Sequence, residues 1–437
     1  MSILTVVFCV LILILLITWG KINPFIAFLI VSILAGILLK IPLGDISRSL
    51  ETGIGGMLGS LAIIICLGAM FGKIISDSGA AKKISEVLMK AFGEKNIQWA
   101  LMITGFIVGI PLFYNVGFVL LVPLIFSVVY QFKLPAVYIG IPLLAALSVT
   151  HGFLPPHPSP TALVDLFGAD LSITLIYGFI VAIPCMIIAG PFFAKTLRGI
   201  ESHPLEIFRP KPVSNENLPN GILCFATALL PVFLLAGASV LPYLSSGNTK
   251  LESLFAFLAD PIAVMLISLL IATYTLGIRQ KTKMKTIMEG YADSVKDIAM
   301  ILLIVAGAGA LKQIFIDSGV SNDIANLLGG WDINPLLLGF IMATIIRVSL
   351  GSATVAGLTT AGIIAPLVTT AGVNPNLMVL SIGAGSLMFS HVNDSGFWMY
   401  KEYFNLSLKN TFKSWTVMET IVGVVGIAMV LLLDVFV

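Results

Sequence analysis

The stretch HGFLPPHPSP, residues 151–160, carries two of the chain's four histidines and four of its prolines. It lies between two apolar stretches, IPLLAALSV (141–149) and LSITLIYGFIVAIPCMIIAG (171–190). Because proline interrupts a helix, the sequence predicts irregular, polar backbone between two segments suited to a lipid bilayer. Such backbone is tolerated at membrane depth only where it is buried in protein or lines a water-filled cavity. The stretch is therefore either a surface loop between short helices or a buried break inside a membrane protein.

The composition favours a membrane protein. Of the 437 residues, 58% are hydrophobic and 11% are charged, whereas soluble domains carry about 25% charged residues. The mean hydropathy is +1.05. Uninterrupted apolar runs such as 2–19, 53–75 and 292–315 have the length of about 18 residues or more that a spanning helix needs. The first run has no basic n-region and no cleavage site, so we expect a retained helix rather than a signal peptide. These features predict an all-α polytopic membrane protein.

Several classes of function are not indicated. The four cysteines lie in apolar runs without a CxxC spacing, which is typical of packing residues rather than a disulfide or metal framework. The chain contains neither HExxH nor GxxxxGK[ST], so it predicts no metal site, no cofactor and no ATP-driven chemistry. The net charge of +2 gives no sign of a nucleic-acid partner.

The chain repeats itself. GKIISDSGAAKKIS (72–85) resembles LKQIFIDSGVSNDIA (311–325), and LPAVYIGIPLLAALSVTH (134–151) resembles NPNLMVLSIGAGSLMFSH (374–391). Corresponding aspartates, prolines and histidines all lie 240 positions apart. We therefore expect two halves, 1–195 and 220–437, joined by a polar cytoplasmic linker at 196–219.

The distribution of Lys and Arg predicts that the two halves are inverted. Basic residues are concentrated in the linker and in 278–286, whereas 242–259 holds only Lys250. The first DSG motif is followed by four lysines, whereas 320–333 contains neither Lys nor Arg. By the positive-inside rule, the same element then faces opposite sides in the two halves. Inverted-topology repeats are typical of secondary transporters, and five crossing segments in each half would produce them.

Four interrupted segments point to the binding site. Residues 99–131 and 334–371 each carry a polar or glycine-rich stretch in the middle, and we interpret both as re-entrant hairpins. Residues 135–167 and 375–407 are interpreted as crossing helices broken near the membrane midplane, at THGFLPPHPSP and SHVNDSGF. Discontinuous helices at matching positions of two repeats are the best sequence pointer to a transporter's binding site.

Arg347 is the charged residue that most needs an explanation. A charge at the bilayer centre costs at least about 2.5–3.5 kcal/mol, so it requires a partner or a function. The planar guanidinium group suits a substrate carboxylate, and the alternative is a structural pair with Asp394. Ser349, Ser352 and Thr354 follow on the same tip and could donate hydrogen bonds, although small residues also serve helix packing.

Asp394 is the clearest intramembrane carboxylate, and Asn393 and Ser395 flank it. A carboxyl group in a poorly solvated site can carry a proton near neutral pH. The alternative role of Asp394 is to cap a helix. His151 and His391 are further proton-coupling candidates, since histidine changes charge near neutral pH, or they are neutral residues that hold the breaks. In the first hairpin, Tyr114 and Asn115 form the polar tip.

The motifs HGFLPPHPSPTA (151–162), RVSLGSATVAGLTTAG (347–362), SHVNDSGFWMYKEYF (390–404) and WTVMET (415–420) resemble the gluconate permease (GntP) family of bacterial inner-membrane symporters. The resemblance extends over nearly the whole chain. It implies proton-coupled uptake of gluconate or a related sugar acid, membership of the wider ion-transporter superfamily, and a homodimeric elevator.

For such a transporter, the residues at the breaks suggest individual roles. Arg347 would bind the substrate carboxylate, and the hydroxyl-binding set would be Ser349, Ser352, Thr354, Tyr114, Asn115, His157, Ser159, Asn393 and Ser395. Many members of the family carry an acidic residue where this chain has Asn115, so the proton role is expected at Asp394, His151 or His391. Sodium coupling, and a carrier of D-serine or another small hydroxy or amino acid, remain alternatives. Outside the class of transporters, the alternatives are a channel and an intramembrane enzyme.

Overall fold

A computed structural model describes residues 2–110, 114–155, 157–205, 219–231, 233–234, 254, 257, 260–320, 323, 333–370 and 372–437. Every regular element in these ranges is helical. The α-helices are α1 (Ser2–Thr18), α2 (Pro24–Leu38), α3 (Leu43–Asp77), α4 (Ala80–Gly109), α5 (Tyr114–Phe132), α6 (Ala136–Phe153), α7 (Pro158–Phe167), α8 (Leu171–Ile187), α9 (Gly221–Ala228), α10 (Pro261–Ala272), α11 (Met284–Asp317), α12 (Pro335–Leu350), α13 (Ala353–Thr370), α14 (Pro375–Leu387), α15 (Ser395–Tyr403), α16 (Leu408–Thr411) and α17 (Val417–Asp434). Single π-helical turns continue α8, α10 and α16.

Local sequence explains where several helices begin. Asn23, Asp260, Asn334 and Asn374 each precede a proline, and each side chain accepts a hydrogen bond from a backbone N–H in the first turn. Proline at the first helical position already has a helical φ and lacks an N–H that would otherwise need a partner. Asn23-Pro24 and Asp260-Pro261 therefore each start a helix through contacts within one turn.

Seven helical runs among the described residues are long and apolar enough to cross a membrane. They are Leu43–Asp77, Tyr114–Phe132, Ala136–Phe153, Leu171–Leu197, Pro261–Gln280, Met284–Asp317 and Leu408–Asp434. Shorter apolar helices lie at Leu4–Ile17, Pro24–Leu38, Asn96–Gly109, Pro335–Leu350 and Pro375–Leu387. The prediction of an all-helical membrane protein is confirmed.

The first compact unit comprises Met1–Gly59, Ser148–Leu197 and Ile301–Val437. Its central element is α14, in which every residue from Asn376 to Leu387 is buried. Helices α7, α8, α12, α13 and α17 pack against it. Small residues allow this close approach: the Ser381 hydroxyl donates to the Leu336 carbonyl at 2.5 Å, and Gly385 lies against the backbone of α12. Small residues at helix contacts are characteristic of packing in membranes.

The second compact unit comprises Ser60–Leu147 and Arg198–Met300. In this unit α4 and α5 pack against each other. The Gln98 side chain donates to the Tyr138 carbonyl at 2.5 Å, and Arg198 donates to the Tyr138 hydroxyl at 2.7 Å. Of the predicted linker, 206–218 lie outside the described residues, as do 111–113 of the first predicted hairpin tip and residues 156 and 371 of the other interrupted segments.

Candidate functional site

Helix α12 ends at Leu350 in a tight turn. Arg347 lies in the last turn of this helix and is 4% exposed. Gly351 terminates the helix with φ of 70°, a left-handed conformation that glycine adopts at little cost. Its N–H donates to the Arg347 carbonyl at 2.9 Å. Helix α13 begins two residues later, and the Ser352 hydroxyl accepts a hydrogen bond from Val355 N–H at 3.4 Å. The interrupted stretch RVSLGSAT is thus a short helix–turn–helix connection.

The chain also leaves its helical path between α14 and α15, at 388–394. Phe389 adopts φ of 49°, which is unfavourable for a bulky residue and is found where surrounding structure compels it. Asp394 then starts α15, because its Oδ1 accepts a hydrogen bond from Gly396 N–H at 2.9 Å. The capping role that the sequence left open for Asp394 is therefore present.

Hydrogen bonds join the end of α12 to the irregular segment before α15. The Asn393 side-chain amide donates to the carbonyl oxygens of Val348 at 2.7 Å and Ser349 at 3.2 Å. The His391 Nε2 lies 3.0 Å from the Val348 carbonyl oxygen. Gly351 lies so close to Asn393 that a Cβ atom there would be 2.5 Å from the Asn393 carbonyl carbon. These contacts hold the last turn of α12 against the break before α15.

Arg347 and Asp394 form a buried ion pair between these segments. The Arg347 Nη2 donates to the Asp394 Oδ2, which also accepts a hydrogen bond from the Ser390 hydroxyl. The Trp415 indole N–H donates to the Ser390 Oγ at 2.7 Å, and the Thr416 hydroxyl donates to the Ser390 carbonyl at 2.6 Å. The structural pairing that the sequence left open for Arg347 is therefore present. We refer to Arg347, Ser390, His391, Asn393 and Asp394 as the Arg347 cluster.

The Arg347 cluster keeps several buried polar atoms without a protein partner in the described residues. These atoms are the Arg347 Nε and Nη1, the Asn393 Oδ1 and the His391 Nδ1. Buried polar groups are nearly always hydrogen-bonded, so each such atom indicates a place for water or a ligand. Within the described ranges, no group of three or more His, Cys, Asp or Glu side chains is placed to hold a metal ion. The cluster therefore offers donors to an anion and acceptors to hydroxyl groups.

The three candidates from the opening stretch lie around the break between α6 and α7: His151 in the last turn of α6, His157 just before α7, and Ser159 in the first turn of α7. The rings of His151 and His157 meet edge to face with centroids 5.4 Å apart. His157 precedes α7 but makes no side-chain cap to it. Ser159 lies in the first turn of α7 and faces α13, where a Cβ atom at Gly357 would be 2.5 Å from its Oγ. The Ser159 Oγ and the His151 Nδ1 are buried and have no partner in the described residues.

The remaining candidates divide between the two units. The Ser349 hydroxyl donates to the Ile345 carbonyl at 2.9 Å, so its hydrogen is committed to its own helix. Thr354 and Ser395 are half-buried near the starts of α13 and α15. Tyr114 and Asn115 belong to the second unit, in the first turn of α5, where the Tyr114 ring packs 6.1 Å from that of Phe118.

Sequence reasoning missed Glu419, a carboxyl group in the first turn of α17. It is 2% exposed, and both of its oxygens lie 2.7 Å from the Ser148 Oγ in α6. An ionisable residue within an apolar segment is itself a signal of function. That signal was present in WTVMET, but this segment is not one of the four interrupted ones.

Comparisons with known proteins show the family of the chain. The family model described as GntP family permease matches residues 1–436. A high-affinity gluconate transporter of Escherichia coli K12 is 45% identical over 435 residues, with 99% of each chain covered. A gluconate permease of Bacillus subtilis 168 is 43% identical, again with 99% of each chain covered. The Gnt-II system L-idonate transporter of Escherichia coli K12 is 44% identical over 95% of this chain and 94% of that protein.

Among solved structures, the Alcanivorax borkumensis YdaH transporter matches with a TM-score of 0.44 and 14% identity over 94% of this chain and 97% of that one. This similarity is too weak to support a conclusion. The match of the family model and the full-length relatives is sufficient without it. The chain therefore belongs to the GntP family of permeases, and it is a multi-pass membrane transport protein rather than an enzyme.

Proposed function

We propose that this protein is a secondary transporter that imports gluconate or a related sugar acid together with protons. The observation that carries the proposal is the Arg347 guanidinium group, which is buried and has two nitrogen atoms without a partner in the described residues. The relatives support the substrate class, since their names refer to gluconate and L-idonate.

The geometry around Arg347 suits a carboxylate. Asp394 engages only the Nη2 of Arg347, so the Nε and Nη1 hydrogens remain available to an anionic oxygen. A substrate carboxylate would therefore share the guanidinium group with Asp394. The Asn393 Oδ1 and the His391 Nδ1 would accept hydrogen bonds from substrate hydroxyl groups, and the Ser159 hydroxyl would supply a further contact.

The other predicted binding residues remain part of the proposal, without an assigned contact to the substrate. They are Ser349, Ser352, Thr354, Tyr114, Asn115, His157 and Ser395. Asp394, His151 and His391 remain the proton-coupling candidates from the sequence. Asp394 already pairs with Arg347 and caps α15, whereas the Nδ1 atoms of His151 and His391 have no partner in the described residues.

The transport mechanism is proposed from the repeat. Two inverted halves, 1–195 and 220–437, would each contribute five crossing segments, a re-entrant hairpin and a helix broken at the midplane. The helix ends at 153 and 387 support the two breaks, and the short connection at 351–352 supports the second hairpin. By the family resemblance, one bundle would carry the site across the membrane as an elevator. The protein would act as a homodimer in the bacterial cytoplasmic membrane.

The test is uptake of radiolabelled gluconate into proteoliposomes with an inward proton gradient and no sodium. Wild type should accumulate gluconate, and Arg347→Ala should abolish accumulation. Arg279→Ala is the matched control, because Arg279 is exposed and lies in a short helical turn after α10. Unlabelled L-idonate and D-serine, added as competitors, define the substrate class. Failure of the folded wild type to accumulate gluconate both without sodium and after sodium is added would reject the proposal. Accumulation only after sodium is added would replace the proton as the coupling ion.

A further inference from the structure

The Glu419 carboxyl group is the starting point. It lies in the first turn of α17 within the first compact unit and is 2% exposed. Its nearest polar neighbour is the Ser148 hydroxyl, whose oxygen lies 2.7 Å from both Oε1 and Oε2. These two residues are 271 positions apart in the chain, so the contact exists only because α6 and α17 meet in the folded unit.

The contact with Ser148 compensates a negative charge on Glu419 only weakly. The Ser148 hydroxyl has one hydrogen, which it shares between the two carboxyl oxygens, each 2.7 Å from its Oγ. An ionised carboxylate has lone pairs for about four donors, and Ser148 is its only side-chain donor in the described residues. Because a buried charge needs more compensation than this, the protonated carboxyl group is favoured.

The charges around Glu419 lead to the same conclusion. In the described residues, no cationic side chain forms an ion pair with it. The charged groups close enough to act on it are Arg347 and Asp394, which have opposite signs and already neutralise each other. A buried carboxylate without a cationic partner is costly, and binding a proton removes that cost. Asp394, by contrast, has its partner in place.

The other titratable groups on the helices around Glu419 do not provide that partner. Helix α14 contains no ionisable residue. Helix α8 contributes Tyr177 and Cys185, and the latter directs its Sγ to a backbone carbonyl of α17. Lys413, in the π-helical turn before α17, is exposed. His151 lies one helical turn after Ser148 on α6, and its Nδ1 has no partner in the described residues.

The position of this pair connects it to the proposed substrate site. One turn before Glu419, Trp415 and Thr416 hold Ser390, and Ser390 donates to Asp394. One turn after Ser148 on α6 comes His151, at the break before α7. A change at the Glu419–Ser148 contact would therefore reach both irregular segments through a single helical turn.

We propose that Glu419, hydrogen-bonded to Ser148, is the site that binds the transported proton. This inference rests on the proposed function. The proton would enter from the outside solution, neutralise Glu419 while the substrate anion is bound, and leave to the inside solution. One proton and one sugar-acid anion then cross together, so no net charge is moved.

The experiment compares two modes of gluconate transport in proteoliposomes. In counterflow, unlabelled gluconate inside the vesicles exchanges for labelled gluconate outside, and no pH gradient is imposed. In the driven mode, a gradient of one pH unit supports accumulation of gluconate up to about tenfold, if one proton accompanies each anion. Glu419→Gln mimics the protonated group, so we expect it to retain counterflow and to lose driven accumulation, with a ratio near one. Asp434→Asn is the matched control, because it makes the same chemical change at an exposed position of the same helix, and it should retain both modes.

Each outcome decides between the proposals. Driven accumulation by Glu419→Gln at the wild-type level would overturn the inference and leave the proposed function intact. Wild-type counterflow without driven accumulation would reject proton coupling and this inference together, and no wild-type transport of gluconate would reject the substrate on which both rest. If Glu419→Gln loses both modes, Ser148→Ala decides: the loss of the hydrogen bond should shift the pH at half-maximal uptake, and an unchanged pH dependence would overturn the inference.

Discussion

Replacing Gly351 with alanine should disrupt the turn that positions Arg347. The added Cβ would lie 2.5 Å from the Asn393 carbonyl carbon and 2.8 Å from its Cγ, whereas non-bonded carbon atoms pack at about 3.5–4.0 Å. One of the two segments must therefore move by about 1 Å, and overpacking of this kind costs roughly 1–3 kcal/mol. The left-handed backbone, with φ of 70°, adds about 1–2 kcal/mol for a residue with a Cβ. The expected total loss of stability is about 2–5 kcal/mol.

Gly168→Ala separates the two contributions. Gly168 also ends a helix of the first unit, with φ of 62°, but no atom lies within 4 Å of its added Cβ. The Gly168→Ala variant should lose only the stability that a left-handed backbone costs, about 1–2 kcal/mol. The assay is the apparent melting temperature of each purified variant in detergent, together with gluconate uptake. Gly351→Ala should melt well below Gly168→Ala and should lose uptake. Equal melting temperatures would refute the close packing of Gly351 against Asn393.

Three further predictions concern single contacts. Arg347→Lys keeps the positive charge but loses the planar guanidinium fork. Since a hydrogen bond to a charged group contributes about 1.5–3 kcal/mol, the KM for gluconate should rise roughly ten- to hundredfold. An unchanged KM would exclude a role of Arg347 in substrate binding. Trp415→Phe removes the indole donor to Ser390 and should destabilise the protein by about 0.5–1.5 kcal/mol in detergent melting, whereas an unaltered melting temperature would argue against that bond. Gly385→Ala would place a Cβ against a backbone carbonyl of α12 and should destabilise the protein by roughly 1–3 kcal/mol. Its control is Gly55→Ala, which has no atom within 4 Å of the added Cβ and should melt no lower than wild type.

Much of the local structure could be predicted because it depends on short-range interactions. Apolar runs became helices, and Asn or Asp before proline became helix starts, since the side chain bonds to an N–H only two or three residues away. The interruption at HGFLPPHPSP appears between α6 and α7, and that at SHVNDSGF appears between α14 and α15. Arg347 and Asp394 stood out because charges are costly in apolar segments, wherever the chain then folds.

The sequence by itself determined that this is an all-helical membrane protein of the GntP family with polar breaks in apolar helices. Only the tertiary structure decided how the polar side chains are used. Asp394 both caps α15 and pairs with Arg347, and the Ser349 hydroxyl is committed to its own helix. Glu419 meets Ser148 across 271 positions of the chain. Helical periodicity describes neighbours three or four residues apart, whereas these contacts depend on which helix faces pack together, and packing among uniformly apolar helices leaves little trace in the sequence pattern.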